Sequence, residues 1–174
     1  SNDKEQLAYD KNQLLTEKKK LDNYLASLTE AHKEMQELYA QAEEKILDDP
    51  NGAVEYYEKA RKELQDHQDK FSDKKYEPFD VTIGIITRRI GDAYYCMARK
   101  ADETEDTNRL EYYRKALKAY EKGICDYGAR ERMAHCKVQL GIKPLFTQPF
   151  ASPCADQQGS PTPPPDNIMN QESI

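Results

Sequence analysis

Leu7, Leu14, Leu21, Leu28 and Met35 stand seven residues apart in a stretch that holds neither glycine nor proline until Pro50. From Leu21 onward the seam positions run Leu21, Leu25, Leu28, His32, Met35, Tyr39, Ala42 and Ile46, in steps that alternate between four and three. This alternation is the seam of a coiled coil. Side chains at a 3.5-residue spacing stay in line on a slightly underwound helix and need another helix to cover them. The spacing predicts one helix over residues 4–48. Near its start the alternate seam positions are Lys11 and Lys18, so the apolar stripe is narrower there.

Asp48-Asp49-Pro50-Asn51-Gly52 reads as a break, with proline ending the helix and Asn-Gly making the turn. A second helix over 53–71 has the seam Ala53, Tyr57, Ala60, Leu64, His67 and Phe71. Folded back on the first helix, it offers six matched layers: Ile46 with Ala53, Ala42 with Tyr57, Tyr39 with Ala60, Met35 with Leu64, His32 with His67, and Leu28 with Phe71. The residue numbers of every pair add to 99, the signature of an antiparallel hairpin with one register. His32 and His67 would form a polar core layer that fixes this register. A pH-responsive pair or half of a metal site is the competing reading, and the sequence places no third and fourth ligand near them.

The two helices are unequal. At 1.5 Å per residue the first would be about 68 Å long and the second about 29 Å. Leu7, Leu14, Leu21 and Leu25 would then lie beyond the reach of the second helix. Propensity alone does not hold so long a lone helix. We therefore expect a protein partner along residues 4–27, either a second copy (a homodimer) or another target.

Residues 72–79 read as a linker containing Pro78, followed by a third helix over 80–101 with the stripe Ile83, Ile86, Ile90, Tyr94, Met97 and Ala101. Gly84 and Gly91 share a face of it and would let a neighbouring helix come close. An acidic loop at 102–107 precedes a fourth helix over 108–126. Gly128 signals a turn, and a fifth helix over 129–140 ends at Gly141. After Lys143 the pattern stops: residues 144–174 hold seven of the nine prolines and read as a Pro-rich extended tail. The expected organisation is thus a hairpin unit (1–75), a second helical unit (80–143) and the tail (144–174), an all-α protein throughout.

Composition narrows the function. With 33% charged and 37% hydrophobic residues, a thin, elongated packing of amphipathic helices fits better than a thick core. The net charge of −6 argues against non-specific nucleic-acid binding, which needs dense Lys and Arg. No apolar run is long enough for a transmembrane segment. The cysteines Cys96, Cys125, Cys136 and Cys154 show no zinc-site spacing. The first three lie in strongly helical stretches, as free core thiols do, which favours a cytoplasmic location. A processed cell-envelope lipoprotein tethered through residues 1–20 is the runner-up.

Small residues alternate with rings in a pattern that carries a resemblance. Gly91 is followed at three residues by Tyr94; Ala116 is followed by Tyr120 and Gly123; Ala53, Tyr57 and Ala60 repeat the latter spacing; Met133-Ala134 with Leu140-Gly141 looks like the opening of a further helix pair. The pattern resembles a degenerate tetratricopeptide repeat, covering residues 53–71 and 83–141. Its physical sense is packing: small residues where backbones nearly touch, rings in the gaps. The chain departs from that family in having no 34-residue period and about 13 extra residues between Gly91 and Ala116. The resemblance implies a concave groove lined by the first helix of a pair, which would place Arg88, Asp92 and Tyr95 as partner-binding residues. Asp92 stands where carboxylate-clamping members carry Asn, so a clamp is not implied.

These readings converge on a non-enzymatic adaptor or scaffold without a cofactor, binding protein through a coiled-coil arm and a tetratricopeptide-like groove. A structural envelope lipoprotein and a His-based metal-binding protein are the alternatives.

Overall fold

The computed structural model of the protein describes residues 1–142 and folds them into five α-helices. These are α1 (Asn2–Lys45), α2 (Pro50–Lys70), α3 (Glu77–Thr104), α4 (Arg109–Lys122) and α5 (Tyr127–Gln139), and the described residues hold no strand. Each helix packs antiparallel against the next in sequence. The layering is thin because most side chains of a helix meet only the helix before and the helix after. The Pro-rich tail expected over 144–174 lies outside the described residues.

The core has two parts that meet at α3. Met35, Tyr39 and Ala42 of α1, Ala53, Tyr57 and Leu64 of α2, and Phe79, Ile86 and Ile90 of α3 form the first. Tyr95 and Ala98 of α3, Tyr113, Ala116 and Tyr120 of α4, and Ala129 and Cys136 of α5 form the second. Alanine and tyrosine dominate the second, while the first mixes them with leucine, isoleucine and methionine, so the small-against-ring logic is clearest between α3, α4 and α5.

The glycines of α3 sit where α4 comes closest. A methyl group added at Gly91 would lie 2.8 Å from the Tyr120 ring, and one at Gly84 would lie 2.7 Å from the Ile124 side chain. From the other side, a methyl group at Gly123 would lie 2.7 Å from the Arg88 backbone nitrogen, and the Ile124 N–H donates to the Gly84 carbonyl across the crossing at 3.1 Å. The close approach expected from the seven-residue glycine spacing is therefore present.

Several boundaries differ from the sequence reading, for one recurring reason. Pro50 does not terminate a helix; it opens α2, and the Asp49 side chain accepts from the Gly52 N–H at 3.0 Å. Pro78 likewise lies in the first turn of α3, not in a linker. Proline has no N–H to lose in a first turn, where those donors are unpaired anyway. At α5 the Asp126 carboxylate caps the Ala129 N–H at 2.7 Å, which draws Gly128 into the helix. Gly141 ends α5 as expected, at φ 75°. Its N–H donates to Val138 and the Ile142 N–H donates to Lys137, the paired bonds of a Schellman motif.

The thiols also depart from expectation. Cys136 is free and buried, and burial pushes its thiol up to about 12. Cys125 is free but exposed, in the connection between α4 and α5. Cys96 is fully buried but disulfide-bonded, so the argument from unpaired thiols to a cytoplasmic location loses its footing.

Candidate functional site

Two features stand out: the uncovered start of α1 and a buried chain of charges through the body. α1 has 44 residues and α2 has 21, about 66 Å against 32 Å. α2 reaches back along α1 only as far as Tyr24, whose ring meets Phe71 edge-on at 5.2 Å. Beyond that point Leu7, Leu14 and Leu21 are 68%, 67% and 49% exposed, and Leu25, just inside it, is 47% exposed. Tyr9 and Leu15 are exposed beside them. The structure thus places Leu7, Leu14 and Leu21 on the uncovered stretch of α1, with Leu25 exposed at its edge. These exposed hydrophobics hint at an interface, though the structure contains no partner chain.

The histidines are not arranged as a layer of two. His67 is buried; its Nδ1 lies 3.0 Å from the Ser27 hydroxyl, and its ring packs on Tyr24, Phe71 and Phe79. His32 is half-buried, because the buried stripe passes through Ala31. At this end of the hairpin the contacts Ser27–His67 and Tyr24–Phe71 fall about one turn further toward the α1 start than the constant register places them. Phe79 of α3 closes over His67 from outside the hairpin, a contact that the two-helix arithmetic did not contain. Burial, then Lys70, lowers the His67 pKa.

The expected groove residues are in the core. Asp92 is fully buried, Tyr95 is 1% exposed, and the Arg88 side chain is 15% exposed. None of the three lines an open groove, and the reason is charge pairing. Asp92 accepts from Arg89 Nη1 at 2.9 Å, from Arg132 Nη1 at 2.9 Å and from the Tyr120 hydroxyl at 2.6 Å. Arg89 in turn grips Glu43 with two bonds, Nε at 2.7 Å and Nη2 at 2.8 Å, and Tyr57 donates to the same carboxylate. The path Tyr57–Glu43–Arg89–Asp92–Tyr120/Arg132 therefore touches α2, α1, α3, α4 and α5 in turn. Burial works against the Arg89 charge, but Tyr57, Asp92 and Glu43 outweigh it and hold the guanidinium protonated. Burial, then Asp92, holds Tyr120 in its neutral, donating form. Arg88 pairs with Asp126 through Nε at 2.9 Å, and its Nη1 lies 4.0 Å from Asp92.

A second network clasps the far end of α5. Tyr95 bonds His135 Nδ1, Gln139 reaches His135 Nε2 at 3.2 Å, and Arg109 bridges Gln139 and Asp102 at 2.6 Å each. Arg109 can only donate, so the Gln139 oxygen faces it and the Gln139 amide donates to His135 Nε2. This leaves Nδ1 carrying the proton of a neutral imidazole. Burial, then Arg99, lowers the His135 pKa. In the sequence His135 stands only as a neighbour of Cys136. Only the separation of 40 residues between Tyr95 and His135, bridged by the stacking, makes it a clasp.

Among the described residues no three His, Cys, Asp or Glu side chains cluster as a metal site requires, and no helix is long and apolar enough to cross a membrane. The fold and these features define an all-α protein of five sequential, antiparallel-packed helices with a long N-terminal helix. No family model matches the chain, and neither a curated protein nor a solved structure matches it.

Proposed function

We propose that this chain is a non-enzymatic protein–protein interaction adaptor whose binding element is the α1 arm. One observation carries the reading: Leu7, Leu14 and Leu21, seven residues apart and each about half to two-thirds exposed, lie on the stretch of some 22 residues by which α1 outruns its cover, with Leu25 exposed at the edge. Scattered surface leucines are ordinary, whereas a contiguous stripe in heptad register is a surface made to be covered. The body is a tetratricopeptide-like scaffold in this reading. The packing of Gly91 on Tyr120 and of Gly84 on Ile124 supports it, as does the helix-by-helix stacking. The groove does not form part of the proposal, since Arg88, Asp92 and Tyr95 are committed to the interior.

The test is affinity capture with the full chain and with a Leu7→Glu/Leu14→Glu/Leu21→Glu variant. These positions are exposed, so the variant keeps the body intact. The reading expects a protein retained by the native chain and lost from the variant; equal retention by both chains overturns it.

A further inference from the structure

We infer that the α1 arm is covered by the arm of a second copy of this chain, laid antiparallel about a two-fold axis near Leu14. The inference deepens the adaptor reading and rests on it in taking the exposed leucines for a binding surface.

Direction follows from where α2 stops. Leu7, Leu14 and Leu21 continue the seven-residue spacing of Leu28 and Met35, which α2 covers, and so extend that stripe along α1. A supercoiled pair keeps such a seam in line. A parallel second helix on the arm would run past Tyr24 into the side that α2 occupies. An antiparallel arm runs in the same direction as α2 and begins where α2 ends, at Tyr24 and Phe71. It extends the layer that α2 starts, and the two-fold gives each copy the same cover in a closed, isologous contact.

Charge selects the same direction. Residues 2–10 carry Lys4 against Asp3, Glu5 and Asp10, a net −2. Residues 18–26 carry Lys18, Lys19 and Lys20 against Asp22, a net +2. With the two-fold at Leu14 these halves face each other; in a parallel pair like would face like. In that register Leu7 is level with Leu21 of the second copy, Asp10 with its Lys18 and Lys11 with its Glu17. The acidic start of the second arm arrives beside Lys70 and Lys74, which lie over the Phe71 and Tyr24 rings.

The experiment uses the full chain. Sedimentation equilibrium should show the mass rising with concentration from 20.1 kDa toward twice that value. Leu14→Glu, at the two-fold and exposed, should weaken association by about ten-fold or more with unchanged melting of the body. Orientation is read by cross-linking in a Cys125→Ser background. An equimolar mixture of Leu7→Cys and Leu21→Cys chains should form the mixed disulfide, while Leu7→Cys alone should not, its two thiols lying about 21 Å apart along the pair. A disulfide from Leu7→Cys alone overturns the antiparallel arrangement. A single mass of 20.1 kDa at every concentration overturns the second copy, and leaves the adaptor reading to stand or fall on the capture experiment. Association indifferent to Leu14→Glu, or a mass beyond two chains, overturns it as well.

Discussion

Burial lowers the pKa of two histidines whose ring nitrogens meet different neighbours. His67 offers Nδ1 to Ser27 while its Nε2 is buried without a hydrogen-bond partner, and His135 takes the Gln139 amide on Nε2. The His67 cation would hold an unpaired N–H at Nε2 whichever way the Ser27 bond runs, and a second ring proton on His135 would point at a donor. Both pKa values are lowered, so between the folded and unfolded values the unfolded chain binds more protons. The stabilisation is complete above the unfolded value of about 6.5 and is lost as pH falls toward the lower folded values. Urea midpoints should therefore fall between about pH 7.5 and 5.5, and His67→Gln and His135→Gln should each flatten that slope. A slope unchanged in both variants would refute the assignment. None of this is legible in the sequence, where the seam pairs His67 with His32 rather than with Ser27. Ser27 is off the predicted seam, and Phe79 belongs to a helix that the hairpin arithmetic leaves out.

At the scale of helices, the glycines carry more than the stripes do. Gly91 sits in the interior of α3, where alanine would gain up to about 1 kcal/mol of helix propensity. The added methyl would stand 2.8 Å from a Tyr120 ring that cannot retreat, since it is fully packed and its hydroxyl is bonded to Asp92. Overpacking costs typically 1–3 kcal/mol, so Gly91→Ala should destabilise by about 1–2 kcal/mol net, measured by urea unfolding. A stabilised variant would show that α3 and α4 have room to part. Here the sequence was informative: a seven-residue glycine spacing on one helix and Ala116, Tyr120 and Gly123 on the next already describe a close crossing. Helix starts were less legible. Pro50 and Pro78 carry the same letter as a helix stop, and only the Asp49 cap and the first-turn geometry show them as openings.

In a thin stack where each helix meets mainly its sequence neighbours, neither core cluster of the described residues holds side chains of both α1 and α5, so no single cluster links them. The Glu43–Arg89–Asp92–Arg132 path supplies that link. Asp92→Ala leaves Arg89 and Arg132 facing a buried void, and removing one partner from a buried pair costs about 3–5 kcal/mol. The loss should appear in urea unfolding as a lower midpoint, together with earlier loss of α5 protection in hydrogen exchange. Asp66→Ala, which removes the exposed partner of Lys62, should change stability by less than about 1 kcal/mol. An equal effect of the two substitutions would mean that the path is ornamental to the fold. The sequence by itself determined the five helices, their order, the excess length of α1 and the glycine crossing, because periodicity and spacing are properties of a chain read along one axis. The tertiary structure alone decided that Asp92 is the centre of the body rather than the wall of a groove. A carboxylate on a helix faces solvent or core according to which cations other helices bring to it, and Arg132 comes from 40 residues away.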